Sequence, residues 1–241
     1  MQRYFASIDH NFTVHFSKDD EHHILHVMRM KNNDEIEVVD SGKVFLCRID
    51  KTNPLEVSVI HEISNDVEIK EDITLLFALT KGDKIDLVLQ KATELGVKKV
   101  ALIESERTVV TYEGKDQEKK LIRFNKIMKE ASEQSHRLIV PTLLGIFDLK
   151  KLPKEVFSEQ NYVAYEKDAS EVNNIFTDLQ KDKSVSILIG PEGGFSEAEI
   201  DNLVKQGFKR TSLGKRILRA ETAAIYALSV LGYLLENEKA L

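Results

Sequence analysis

Only one cysteine, Cys47, occurs in the 241 residues, so no disulfide framework can be built. Its apolar neighbours Val44-Phe45-Leu46 make a small buried hydrophobe its expected role. No apolar run approaches the ~18 residues of a membrane span, and the start, MQRYFASIDHNF, lacks the cationic-then-apolar order of a signal peptide. No membrane partner is therefore expected, and the cytoplasm is the expected compartment. Excess positive charge is also missing. Lys and Arg number 34 against 40 Asp and Glu, a net charge of −6, which argues against broad, salt-driven binding to nucleic acid. Any such contact has to come from a local basic surface. Neither an internal repeat nor a low-complexity segment is visible. No Gly-x-Gly-x-x-Gly follows a strand and no Gly-x-x-x-x-Gly-Lys-Ser/Thr occurs, which argues against a Rossmann or P-loop nucleotide site.

What is present is an ordinary globular composition, 42% hydrophobic and 31% charged, able to bury a real core. Two halves differ in rhythm. In residues 1–68, Ser17 caps an expected helix with an acidic first turn, Asp19-Asp20-Glu21. Strands are expected at Glu35–Val39, Lys43–Ile49 and Leu55–Ile60, punctuated by the turns Asp40-Ser41-Gly42 and Asn53-Pro54. Short strands at this spacing suggest a small β-barrel. Residues 64–72 form a polar bridge.

From residue 73 to 241 the pattern is that of an α/β domain. Ile73–Leu79 and Val185–Ile189 are apolar runs, as for parallel strands buried on both faces. Further strands are expected at Val97–Ile103, Tyr162–Tyr165 and Phe208–Leu213. Between them, Ile85, Val88, Ala92 and Leu95 share a helix face that Gly96 ends. A long polar helix covers about 116–136, one capped by Ser170 runs to about Leu179, Ser196-x-x-Glu199 is a capping box, and Glu221 to Glu236 is a final apolar helix. Alternating strands and helices predict a parallel sheet with helices on both faces.

In such sheets, ligands bind beyond the carboxyl ends of the strands. Two loops there are unusual. Gly190-Pro191-Glu192-Gly193-Gly194 is a tight turn that exposes backbone groups. Its Glu192 repels phosphate, so a neutral or cationic ligand suits it better, such as a nucleoside joined to a sulfonium. Leu213-Gly214-Lys215-Arg216-Ile217-Leu218-Arg219-Ala220-Glu221-Thr222 places two arginines and a carboxylate before an apolar helix.

Together the two loops closely resemble those of the SPOUT methyltransferases, and within them the RsmE family, which methylates N3 of a uridine in bacterial small-subunit ribosomal RNA. Similar pieces recur at Arg3-Tyr4-Phe5, at His23 with Val27-Met28-Arg29, at Gln90-Lys91-x-x-Glu94-Leu95-Gly96-Val97, at Ser105-Glu106-Arg107 and at Glu133-Gln134-Ser135-x-Arg137. Met28 stands where the family usually has leucine, a nearly volume-conserving swap, and His26 where a basic residue is common. The resemblance implies a SPOUT-type α/β knot (a parallel sheet with a C-terminal trefoil knot) after a PUA-like β-barrel, and a homodimer.

The same resemblance implies S-adenosyl-L-methionine as methyl donor, held by Leu188, Ile189, Gly190, Glu192, Gly193, Gly194, Leu213, Gly214, Ile217, Leu218 and Thr222. Ribosomal RNA or the small ribosomal subunit would be met by Arg3, His23, Arg29, Arg107, Gln134 and Arg137. Arg219 is assigned to charge stabilisation on the base, because a cation near its oxygens favours the uridinate form. Glu221 is the nearest candidate base, or else a loop-fixing partner of Arg216 or Arg219. Six of seven histidines lie within the first 61 residues, His22, His23 and His26 close together. They lack a Cys or carboxylate pattern typical of zinc, and no metal is expected.

Three function classes remain: an RNA methyltransferase, a catalytically idle ribosome-binding factor on the same fold, and a small-molecule enzyme on a doubly wound sheet. The intact Arg216–Thr222 loop speaks against the second, the N-terminal barrel against the third.

Overall fold

The computed structural model describes residues 1–64, 66–165, 175–176 and 178–237. The chain divides into two compact units, Met1–Glu68 with Lys129–Val140, and Ile69–Met128 with Pro141–Leu241.

In the first unit a mixed four-stranded sheet has the order β1-β4-β5-β6, formed by Arg3–Phe5, Glu35–Asp40, Lys43–Thr52 and Leu55–Ile63. Only β1 and β4 run parallel. A short ribbon, β2 (Ser7–Ile8) with β3 (Val14–His15), is tied to β6 by a bridge between Thr13 and Ser58. The core holds Tyr4, Val14, Ile24, Ile36, Val38, Cys47, Ile49 and Val57. Along β5 the buried positions change phase, from Val44 to Cys47 and Ile49. At that point β5 keeps an unbroken register with β4, while β6 carries one extra residue, Ile60, opposite the step from Leu46 to Cys47. Helix α1 (Lys18–His22) opens as expected, with Ser17 Oγ accepting from Asp20 N, and continues into a π-helical turn at His23–Val27.

Lys129–Val140 joins this unit through charges. Lys129 pairs with Asp20 and, at 3.0 Å, with Glu133. Arg3 meets Glu37 at 2.8 Å and donates to the carbonyls of His136 and Arg137. Arg137 meets Glu68 at 2.6 Å. The charges along 116–136 suit a solvated helix face. The observed helix, α3 (Gly114–Gln134), does have an exposed polar side, but Met128, Ala131, Ser132 and Glu133 are buried.

The second unit contains, among the described residues, a wholly parallel six-stranded sheet of order β12-β10-β11-β7-β8-β9. These strands are Phe208–Thr211, Gln160–Ala164, Val185–Ile189, Ile73–Ala78, Lys99–Glu104 and Thr142–Asp148. Every residue of β7 and β11 is buried, which explains their unbroken apolar runs. Strand β9 was not anticipated, because it lies at the sheet edge, is only half-buried and is interrupted by Gly145 at a register shift.

Helix α2 (Lys84–Glu94) buries Ile85, Val88 and Ala92 and packs on α5 (Ala220–Glu236). Gly96 ends it at φ +87°, and a Cβ there would stand 2.6 Å from Ile69 Cδ1, so the stop has to be glycine for conformation and for space. On α5, Leu228, Leu231 and Leu235 are buried, each contributing roughly 1.5–3 kcal/mol of apolar burial. Helix α4 (Glu197–Lys205) carries the expected capping box. Most of the helix expected from Ser170 to Leu179 lies outside the described residues. No helix among them is long and apolar enough to cross a membrane.

Candidate active site

Strands β10, β11 and β12 end on one side of the sheet, and the segments that leave them build a cavity of about 430 Å3. Ala164 ends β10 and Tyr165 follows it, Ile189 ends β11 and Gly190 to Phe195 follow it, and Leu213, Gly214 and Arg216 to Arg219 follow β12, with Ala220 and Ala223 from α5. The volume lies within the roughly 300–1,000 Å3 common for small-ligand pockets. Strand β12 stops at Thr211, earlier than its apolar pattern suggested, which releases the following residues as the second wall.

The glycine loop is held from several sides. Gly194 N donates to Pro191 O at 2.9 Å, closing the turn, and Gly194 takes φ +64°. Ser196 Oγ accepts from Glu199 N, while Glu199 Oε2 accepts from Ser196 N at 2.8 Å. The other Glu199 oxygen accepts from Glu106 N at 2.8 Å, and Ser196 Oγ donates to Glu106 Oε2 at 3.1 Å. Next along the chain, Arg107 donates to Gly193 O at 2.8 Å, with its aliphatic stem 3.3 Å from where a Cβ on Gly193 would sit. A Cβ on Gly190 would meet the buried Phe195 ring at 3.0 Å. Gly190 is thus set by space, whereas at Gly193 the flexible Arg107 stem can yield.

The cavity's charges are few. Glu192 is the one carboxylate among the lining residues, and Arg216 and Arg219 are the cations. Both arginines are exposed, and among the described residues neither has an ion-pair partner. Lys84, the first residue of α2, donates to Glu192 Oε1 at 2.8 Å and stands 3.8 Å from Glu221 Oε2. Burial acts to raise the Glu192 carboxyl, but the Lys84 hydrogen bond, backbone hydrogen bonds and the Lys84 charge together hold it below the ordinary carboxylate value. The same hydrogen bond raises the Lys84 ammonium. Glu221 Oε2 is buried with no hydrogen-bond partner among the described residues.

Of the residues expected to hold a cofactor, Ile189, Gly190, Glu192, Gly193, Gly194, Leu213, Gly214, Ile217 and Leu218 line the cavity, as does Arg219. Leu188 does not: it points into the core cluster with Leu76 and Val163. Thr222 is exposed on α5 away from the lining. Glu221, the candidate base, is also off the lining, and its partner is Lys84 rather than Arg216 or Arg219.

Arg3 and Arg137, expected to meet RNA, are 2% and 4% exposed and occupied by Glu37 and Glu68, a geometry of structural ion pairs rather than of phosphate contacts. His23 Nδ1 shares a 3.0 Å hydrogen bond with Tyr4 Oη. Arg29 and Gln134 are exposed, Arg29 at φ +54°. Arg107 is exposed but buttresses the glycine loop. The rings of His22 and His26 lie 4.9 Å apart, and among the described residues no three His, Cys, Asp or Glu side chains group as metal ligands would.

Sequence reasoning missed Lys84, Tyr165 and Phe195. For Lys84 a signal existed, its place just past the carboxyl end of the central strand β7.

A sequence profile described as an RNA methyltransferase domain matches residues 67–232, and one described as an RNA methyltransferase PUA domain matches residues 16–60. The chain is similar to Ribosomal RNA small subunit methyltransferase E of Bacillus subtilis, 35% identical over 98% of both chains. It also resembles the crystal structure of a Ribosomal RNA small subunit methyltransferase E from Neisseria gonorrhoeae bound to S-adenosyl methionine, with TM-score 0.82 and 31% identity over 97% of this chain and 98% of that one. A methyltransferase from Legionella pneumophila in complex with bound SAM gives TM-score 0.87 and 28% identity over 96% of each.

Proposed function

The chain belongs to the RNA methyltransferase family, and from that premise we propose that it transfers a methyl group from S-adenosylmethionine to N3 of a uridine in small-subunit ribosomal RNA. Its fold is of the SPOUT α/β-knot class with a PUA domain in the N-terminal part. The observation that carries the reading is the cavity between the glycine loop and the segment 213–220.

The lining residues fit the donor. Backbone groups of the glycine loop suit the polar edges of a nucleoside, and Leu218 with Ile217, 87% exposed, offers apolar surface for a ring. Glu192, kept ionised, suits a ligand that carries positive charge. When bound, the donor supplies an electrophilic methyl on sulfur, so the chain's own work is positioning and charge. Uridine N3 must lose its proton before or during attack, and each pKa unit between it and the surrounding pH costs about 1.4 kcal/mol. Arg219, a lining cation with no ion-pair partner among the described residues, is suited to the developing charge on the base oxygens. Glu221, paired with Lys84 off the lining, fits a loop-fixing role better than that of proton acceptor.

RNA is held by the unit built on residues 1–68 and by the exposed Arg29 and Gln134. A second copy of the chain belongs to the reading as well, and the exposed Tyr226 and Tyr233 of α5 are apolar surface that suits it. Mass spectrometry of ribosomal nucleosides from cells lacking the protein tests the product. Loss of 3-methyluridine, restored by returning the gene, is expected; an unchanged nucleoside profile overturns the proposal.

A further inference from the structure

We propose that Lys84 is a positioning residue whose ammonium joins Glu192 to Glu221 and, by occupying Glu221, keeps Arg219 free to face the substrate base. The inference rests on the methyl-transfer reading of the cavity and adds to it a residue outside the lining.

The two walls of the cavity come from separate stretches of chain. Glu192 belongs to the glycine loop, and Glu221 sits in the first turn of α5, two residues after Arg219. One ammonium reaches both carboxylates, at 2.8 and 3.8 Å, from the start of α2. It therefore fixes the spacing of the walls from behind.

The second effect follows from the charge count around that point. Glu221 Oε2 is buried and accepts no hydrogen bond among the described residues, and among them Lys84 is its counter-ion. Arg219 is near enough for its charge to act against protonation of Lys84. Of the two cations in the group, Lys84 contacts both carboxylates, whereas Arg219 has no ion pair among the described residues. Removing the ammonium leaves a partly buried carboxylate without its cation, which is unfavourable. Arg219, the exposed N-cap residue two positions before Glu221, is a cation of the same segment that can turn towards it. Such a pair would hold the guanidinium away from the base it is meant to polarise.

The test measures donor affinity by calorimetry and the methyl-transfer step by single-turnover assay on small-subunit ribosomal RNA, with KM for the donor followed beside kcat. Lys84→Met is expected to slow the step by about tenfold to a hundredfold, less than the roughly 10²–10³ typical for outright loss of a charge-stabilising donor. KM for the donor should move much less than kcat. Lys84→Arg should restore most of the rate. The decisive variant is Lys84→Met with Glu221→Gln: with no carboxylate to capture Arg219, it should be faster than Lys84→Met alone, which a merely structural role of Lys84 does not predict. Parental rate in Lys84→Met, or a double variant no faster than the single one, overturns the inference. If the parent binds the donor and methylates no RNA, the reading of the cavity falls instead. Should Lys84→Met not fold, Lys84→Gln and its Glu221→Gln double variant carry the same comparison.

Discussion

Replacing Gly190 by alanine adds one methyl group at the hinge of the proposed donor cavity. The new Cβ would lie 3.0, 3.2 and 3.4 Å from three atoms of the Phe195 ring. Carbon atoms prefer about 3.5–4.0 Å, so the nearest contact is short by roughly half an ångström or more. The ring has little freedom to yield, being 2% exposed and packed with Leu188, Ile200 and Leu203. Overpacking of this kind costs about 1–3 kcal/mol. If the loop relieves the strain by shifting, the cost falls on donor binding, and at about 1.4 kcal/mol per factor of ten it weakens affinity between roughly fivefold and a hundredfold. Gly193→Ala is the control. Its Cβ would meet only the stem of exposed Arg107, at 3.3 and 3.4 Å, which can move. Its cost should stay below about 1 kcal/mol. Titration calorimetry with S-adenosylmethionine separates the two, and Gly190→Ala with Phe195→Leu should recover part of the loss through a positive coupling. Equal affinities for Gly190→Ala and the parent, or no coupling with Phe195, would show that the loop is not braced by that ring.

Arg219→Ala should lower single-turnover methyl transfer by about 10²–10³ with donor affinity nearly unchanged; a parental rate removes Arg219 from the chemistry. Glu68→Gln strips the buried Arg137 of its carboxylate and should lower stability by about 3–5 kcal/mol at most, since Glu68 keeps some exposure. Urea unfolding reads this, and an unchanged midpoint contradicts the structural role. Burial pushes the Cys47 thiol up from its ordinary 9 to about 12. The folded chain then keeps a proton that the unfolded chain releases, so this group's contribution to stability is present below pH 9 and is lost as pH rises towards 12. Cys47→Ala should flatten that alkaline decline, and native Cys47 should resist thiol reagents near neutral pH.

Much of the fold was legible because its signals are local. Strands β7 and β11 announce themselves as apolar runs since parallel central strands are buried on both faces, and the Ser196–Glu199 capping box depends on residues three apart. Strand β9 was not legible, for an edge strand with an internal glycine carries neither a continuous apolar run nor clean alternation. Both cavity loops were visible too: the first by its three glycines and proline in five residues, the second by two arginines and a carboxylate set before an apolar helix.

The chain by itself determined the alternation of buried strands and helices in the second unit and the two loops that bound the cavity. Tertiary structure alone decided which charges are free. Arg3, Arg137 and Arg219 look alike in a sequence, yet the first two are buried against Glu37 and Glu68 while Arg219 lines the cavity. Lys84 meets Glu192 and Glu221 across separations of more than a hundred positions. Secondary structure follows from neighbours along the chain, whereas the state of a charge is set by whichever opposite charge folding brings within about 4 Å and by how much water remains between them.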